Sequence, residues 1–281
     1  LRLTMVGHAT FLIQTGGLNI LTDPVWSFRT SPFSFIGPKR RNIPGIAMED
    51  LPKIDVILLT HNHYDHLDYV SIIQLKEKTK QFLVPLGIGN HLRSWGVKAE
   101  HIVEMDWWQE HIQDQVQFAF TPSRHMSGRG FNDKDATLWG GWIIMGNDKK
   151  IYYSGDGGYG SHFKTIGEKY GPFDFAMMEC GQYNELWSEI HMFPEETAQA
   201  ALDVKAKRMM PIHWGAFKLA MHEWTDPVER VLKKANELNV EIVVPQIGAE
   251  IGGSKVGAET SEKGEQAGSK ATCKEEEELN L

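Results

Sequence analysis

The chain reads as short apolar runs separated by loops, with a change of period wherever a helix is expected. Leu3–Val6, Phe11–Gln14 and Leu18–Thr22 are strand-like, and Gly16-Gly17 is a hairpin turn signal between the last two. Ile54-Asp55-Val56-Ile57-Leu58-Leu59 is apolar and rich in β-branched residues, the composition of a buried strand. Asp68 is placed to cap a helix running to about Thr79. Phe82–Pro85 then reads as a strand, Gly87–Trp95 as a short helix, and His101–Glu104 and Val116–Thr121 as strands. Leu138–Met145 and Lys150–Ser154 flank Gly146-Asn147-Asp148 as a hairpin. Gly160–Tyr170 reads as a helix, Phe173–Met178 as a buried strand, Pro194–Lys207 as a helix and Arg208–Ile212 as a strand. Val228, Val231, Leu232, Ala235 and Leu238 repeat at helical spacing, Asn239 is a stop signal, and Val240–Val244 closes with a strand. Strands alternating with helices predict an α/β fold.

Two stretches do not fit this rhythm. Residues 25–50 lack periodicity and mix Trp26, Phe28, Phe33, Phe35 and Ile36 with Arg29, Lys39, Arg40 and Arg41. A long loop of this kind inside a compact domain is usually functional, and this one is too aromatic for simple disorder. Residues 253–281 are mostly polar, with four consecutive Glu near the end. They lack the apolar surface to offset ordering entropy and read as a disordered acidic tail. The division is a folded domain over 1–252 and a tail over 253–281.

Composition narrows the partners. The 281 residues carry a formal net charge of −8, which argues against nucleic acid as a partner. The two cysteines, Cys180 and Cys273, form neither a zinc-finger spacing nor a disulfide framework, so a reducing, cytoplasmic setting is expected. No apolar run approaches the ~20 residues of a membrane-spanning helix, which leaves peripheral membrane contact as the expected mode.

Chemistry concentrates directly after the apolar run at 54–59. Thr60-His61-Asn62-His63-Tyr64-Asp65-His66 holds four metal-ligand side chains within six residues. It lies at the C-terminal end of a strand, where α/β folds keep their sites. His61 and His63 are two apart and point the same way in an extended segment, whereas Asp65 and His66 point elsewhere once the chain turns. That division suits two adjacent metals. Imidazole and carboxylate donors favour zinc, and manganese and iron share much of the preference.

The H-x-H-x-D-H pattern resembles the metallo-β-lactamase superfamily, which implies a four-layer αββα sandwich. Phe120-Thr121-Pro122-Ser123-Arg124-His125, Tyr152-Tyr153-Ser154-Gly155-Asp156 and Met209-Met210-Pro211-Ile212-His213 offer later ligands in the expected order. The resemblance implies that His61, His63 and His125 hold one metal and that Asp65, His66 and His213 hold the other. Asp156 would bridge them. Gly7-His8-Ala9-Thr10, Leu21-Thr22-Asp23-Pro24, Gly37-Pro38-Lys39-Arg40, Asp106-Trp107-Trp108, Gly171-Pro172-Phe173-Asp174 and His213-Trp214-Gly215 narrow the match. They are similar to the N-acylphosphatidylethanolamine-hydrolysing phospholipase D group.

What this implies is a zinc-dependent hydrolase of lipid metabolism with two Zn ions, cleaving a phosphodiester in a phospholipid. Asp65, Asp156 and His191 are its expected catalytic residues. Tyr159, Arg129, His191, Phe33 and Phe35 are expected to meet the substrate. Asp23 is placed to orient a ligating histidine, and His8 to support the site without ligating. A metal-dependent lactonase of the ascorbate-phosphate type is the alternative activity, and a non-enzymatic scaffold is the alternative class. A homodimer is a further expectation from the group. For the tail, deletion of residues 254–281 is expected to leave the melting temperature and activity nearly unchanged. A large drop in melting temperature on deletion would show that the tail docks.

Overall fold

The computed structural model describes residues 1–252. The acidic tail expected over 253–281 lies outside the described residues. The first sheet contains β1 (Arg2–Gly7), β2 (Thr10–Thr15), β3 (Leu18–Thr22), β4 (Ile54–Leu58), β5 (Thr79–Pro85) and β6 (Ile102–Met105). The second contains β7 (Glu110–Gln113), β8 (Val116–Thr121), β9 (Gly141–Gly146), β10 (Lys149–Tyr153), β11 (Phe175–Glu179), β12 (Arg208–Ile212) and β13 (Glu241–Ile242). A last strand, β14 (Glu250–Gly252), returns to pair antiparallel with β1. The two orders are β14-β1-β2-β3-β4-β5-β6 and β13-β12-β11-β10-β9-β8-β7.

Alternation of side chains along each strand builds the layers. Val56 and Leu58 face between the sheets with Phe11, Ile13, Phe118, Phe120, Trp142, Tyr153, Met177 and Met210. Their neighbours Ile57 and Leu59 face outward and pack against Ile72 and Leu75 of α1 (Tyr69–Leu75) and Ile88 and Leu92 of α2 (Ile88–Ser94). On the far side Tyr152, Ala176, Met178 and Met209 face α3 (His162–Lys169), α4 (Pro194–Asp203) and α5 (Asp226–Leu238). The result is the four-layer αββα sandwich.

Several boundaries differ from the sequence reading. The helix capped by Asp68 stops at Leu75, because Thr79 already begins β5. The helix at Pro194 stops at Asp203, and Ala206 bridges to Phe173 instead. The strand expected over Val240–Val244 shortens to Glu241–Ile242. Asn239 closes α5 in the left-handed conformation, at φ 56°.

Strand direction gathers the site. β1, β3 and β4 run the same way, as the antiparallel β1–β2–β3 steps and the parallel β3–β4 step require. β8, β10, β11 and β12 share a direction for the same reason. The segments that follow these strands carry His8, Asp23, His61–His66, His125, Asp156 and His213.

Candidate metal centre

The loop after β4 turns tightly, with His66 and Leu67 both donating backbone N–H to the His63 carbonyl. His61 and His63 stay on one side of this turn. Their nitrogens, Nε2 and Nδ1, are 2.9 Å apart, and His125 Nε2 lies 3.2 Å from the same His63 atom. Two ligands ~2.0–2.1 Å from one zinc at the tetrahedral angle stand roughly 3.3 Å apart, so this spacing fits a shared metal.

Asp65 and His66 turn to a second group. Asp65 Oδ2 is 3.0 Å from His213 Nε2 and 3.5 Å from His66 Nε2. Asp156 Oδ2 lies 3.2 Å from His66 Nε2, 3.0 Å from His213 Nε2 and 3.9 Å from His61 Nε2. One carboxylate thus reaches from the second group towards the first. Gly155 lets it do so: its φ is +60°, and a Cβ there would sit 2.7 Å from the Gly140 carbonyl oxygen.

The donor set has the chemistry of a metal site. His66 Nε2 and Asp156 Oδ1 are buried without a hydrogen-bond partner among the described residues, although protein interiors rarely tolerate this. Burial, reinforced by neighbouring imidazoles, holds His61 well below its usual range, and burial does the same to His125, leaving lone pairs for a cation. Burial would also lower His213, but Asp156 and Asp65 raise it to about 10. Those carboxylates draw positive charge into the pocket, a role that a metal dication fills.

Asp23 anchors the arrangement. Its Oδ2 pairs with His66 Nδ1 at 2.7 Å and accepts from Thr60 Oγ1 at 2.7 Å and Tyr153 OH at 2.5 Å. Its Oδ1 accepts from the Thr60 backbone at 2.8 Å. This fixes the His66 ring with Nε2 turned to the site, a common device for ligating histidines. His8 is fully buried, pairs with Asp65 Oδ2 at 2.9 Å and accepts the His213 N–H on its carbonyl. His8 and His213 both hold positive φ, 59° and 65°, a strained conformation for such residues.

The remaining expected residues are distributed unevenly. His191 lines a cavity of about 380 Å³ with His63, Asp65, Asp156 and His213, and its ring stacks on His213 at 5.4 Å. Arg129 donates to the carbonyls of Asn62 and Leu67, both at 2.7 Å, and stacks on Tyr64. It is a clamp on the histidine loop rather than a free cation at the cleft. Tyr159 gives its hydroxyl to Asp203 and stacks on Phe163, outside the cavity lining. Phe33 and Phe35 are exposed and lie against each other, 5.6 Å between ring centroids. Glu179 was missed. It ends β11, fully buried beside His191, and the only sequence signal was a carboxylate closing an apolar run.

A family model described as a β-lactamase superfamily domain matches residues 18–214. The chain belongs to the metallo-β-lactamase superfamily. Within the superfamily it is 43% identical over 255 residues to an uncharacterized protein of Mycobacterium tuberculosis, covering 89% of this chain and 68% of that one. It is 35% identical over 233 residues to N-acyl-phosphatidylethanolamine-hydrolyzing phospholipase D 1 of Caenorhabditis elegans, covering 79% and 65%. Igni18, a metallo hydrolase from Ignicoccus hospitalis, superposes with a TM-score of 0.67 at 23% identity, over 89% of this chain and 97% of that one, and supports the superfamily fold. The short motifs that resemble the phospholipase D group agree with this similarity, and the fold is that of the superfamily.

Asp23→Asn replaces an acceptor oxygen with a donor amide facing other donors, so His66 loses its fixed orientation. Metal affinity is expected to fall by about 10–100-fold in chelator competition, with the fold retained. Unchanged affinity would remove Asp23 from the site.

Proposed function

We propose that this chain is a binuclear metal-dependent phosphodiesterase of phospholipase D type, acting on N-acylphosphatidylethanolamine-like phospholipids. The observation that carries the reading is the cavity onto which donors of both groups open, His63 from one and Asp65, Asp156 and His213 from the other. Identity to a relative named for this hydrolysis supports the substrate class.

In this reading His61, His63 and His125 hold one metal, and Asp65, His66 and His213 hold the second. Asp156 serves both. Zinc suits these donors, and manganese and iron are compatible with them. When bound, the metal pair supplies a Lewis acid for a phosphoryl oxygen and a nucleophile at neutral pH. The chain's own residues do the rest. Asp65 and Asp156 orient the histidines around them. His191 projects into the cavity from the side of His125 and His213, where a phosphate oxygen or the leaving alcohol would lie.

The segment over residues 25–50 is the proposed lipid contact. It carries four basic and two acidic residues in a chain of net charge −8. Phe28, Phe33, Phe35 and Ile36 are all more than half exposed, so these rings are not core. Aromatic rings beside cations suit the boundary of an anionic bilayer. No described helix is long and apolar enough to cross a membrane, so contact through this surface would be peripheral.

The test is turnover of an N-acylated phospholipid in vesicles, a short soluble phosphodiester and a lactone, with and without chelator. Metal-dependent release of phosphatidic acid is expected, and lactone turnover far above that of any phosphodiester would overturn the assignment. Phe33→Ser combined with Phe35→Ser should lower vesicle turnover by at least ~10-fold, since one buried ring contributes roughly 1.5–3 kcal/mol. The soluble phosphodiester should be cleaved as before. Equal loss on both substrates would contradict the lipid contact.

A further inference from the structure

Glu179 has no role in the assignments above, yet its carboxylate is fully buried and paired with His191, which lines the cleft. The residue is pinned at both ends of its peptide unit. Its N–H donates to Ser154 Oγ at 2.9 Å, and its carbonyl accepts from Thr197 Oγ1 at 2.8 Å. The side chain therefore has little freedom. Oε2 accepts from the Met192 backbone N–H at 3.0 Å, and Oε1 lies 2.9 Å from His191 Nδ1. His213 Nδ1 stands 3.7 Å from Oε1, beyond hydrogen-bond reach. Its hydrogen-bonding partners are thus one backbone amide and His191.

That pairing decides the form of the histidine. The Met192 N–H can only donate, so it claims one carboxylate oxygen. The other oxygen accepts, which requires the proton of a neutral His191 ring to sit on Nδ1. Nε2 is then left as the unprotonated nitrogen. The ring is held on its other sides by stacking on His213, at 5.4 Å and 8° between planes, and by edge contact with His125 at 5.2 Å. A His191 ring nitrogen lies within 4.8 Å of donor atoms of His125 and Asp156.

We propose that Glu179 is the positioning residue of His191: it selects the tautomer that presents Nε2 to the cleft as a hydrogen-bond acceptor. The catalytic part of this inference rests on the role proposed above for His191; the tautomer part rests on the contacts alone. A glutamine at 179 cannot do the same work. Its one oxygen must answer the Met192 N–H, so its amide group faces Nδ1 as a donor. His191 must then accept at Nδ1 and carry its proton on Nε2, reversing what the cleft meets.

The test uses the full chain loaded with zinc and two readouts. Long-range ¹H–¹⁵N spectra of histidine-labelled protein, assigned for His191 with His191→Ala, should show Nδ1–H in the parent and Nε2–H in Glu179→Gln. Turnover on whichever phosphodiester or lactone the parent cleaves should fall at least ~10²-fold in Glu179→Gln, as loss of a proton-transfer group does. The same change made in a His191→Ala background should cost little more, because the two residues act as one unit. Zinc content and melting temperature, compared across the variants, separate this outcome from loss of folding. An unchanged tautomer in Glu179→Gln, or the same fold-loss with and without His191, would overturn the proposal. If no substrate of either class is turned over, the assigned activity fails, and the tautomer measurement alone still decides the role of Glu179.

Discussion

His63 Nδ1 lies 2.9 Å from His61 Nε2 and 3.2 Å from His125 Nε2 in a buried pocket, and His66 and His213 crowd Asp156 from the other side. Lone pairs aimed at one point gain nothing from each other. Burial removes the water that would otherwise satisfy them. The chain tolerates this because each donor follows a strand whose position is set by the core between the sheets. Phe118, Phe120, Trp142 and Tyr153 fill that core, and several of the same strands deliver the ligand-type residues. Folding energy from the sandwich thus holds in place a cluster that would otherwise spread apart.

Tyr153 and Asp23 show how closely the two jobs are joined. Tyr153 packs in the inter-sheet core and gives its hydroxyl to Asp23, which in turn fixes the His66 ring. Burial and the Asp23 charge push the Tyr153 hydroxyl well above its usual range, so it stays a donor. A single side chain therefore connects the hydrophobic layer to the metal-ligand layer. His8 does something similar from β1, linking Asp65 to the strand end that receives His213. The left-handed backbone at His8 and His213 is the local strain this connection entails.

Much of this was legible in sequence, for identifiable reasons. Ile54–Leu59 is apolar on both faces, and a strand covered on both sides must be. His61, His125, Asp156 and His213 stand out because polar ligand types follow apolar runs. The hairpin at Gly16-Gly17 and the stop at Asn239 were carried by backbone requirements that few residues meet. Glu179 was not legible, because its partner His191 is twelve residues away and the pairing exists only once β11 and the following loop fold back. The tied-down states of Arg129 and Tyr159 were hidden for the same reason: their partners Leu67 and Asp203 are 62 and 44 residues distant. β7 and β14 were missed because Glu110–Gln113 and Glu250–Gly252 lack an apolar run and owe their pairing to neighbouring strands.

Two donor groups that share one carboxylate should hold two metals. Metal content per chain, measured by mass spectrometry on zinc-saturated and desalted protein, tests it most directly. Two zinc ions are expected in the parent, with depletion of both in Asp156→Asn. His125→Ala should lose one and keep the other. A parent that holds a single zinc under metal-replete conditions, with Asp156→Asn unchanged, would contradict the binuclear reading.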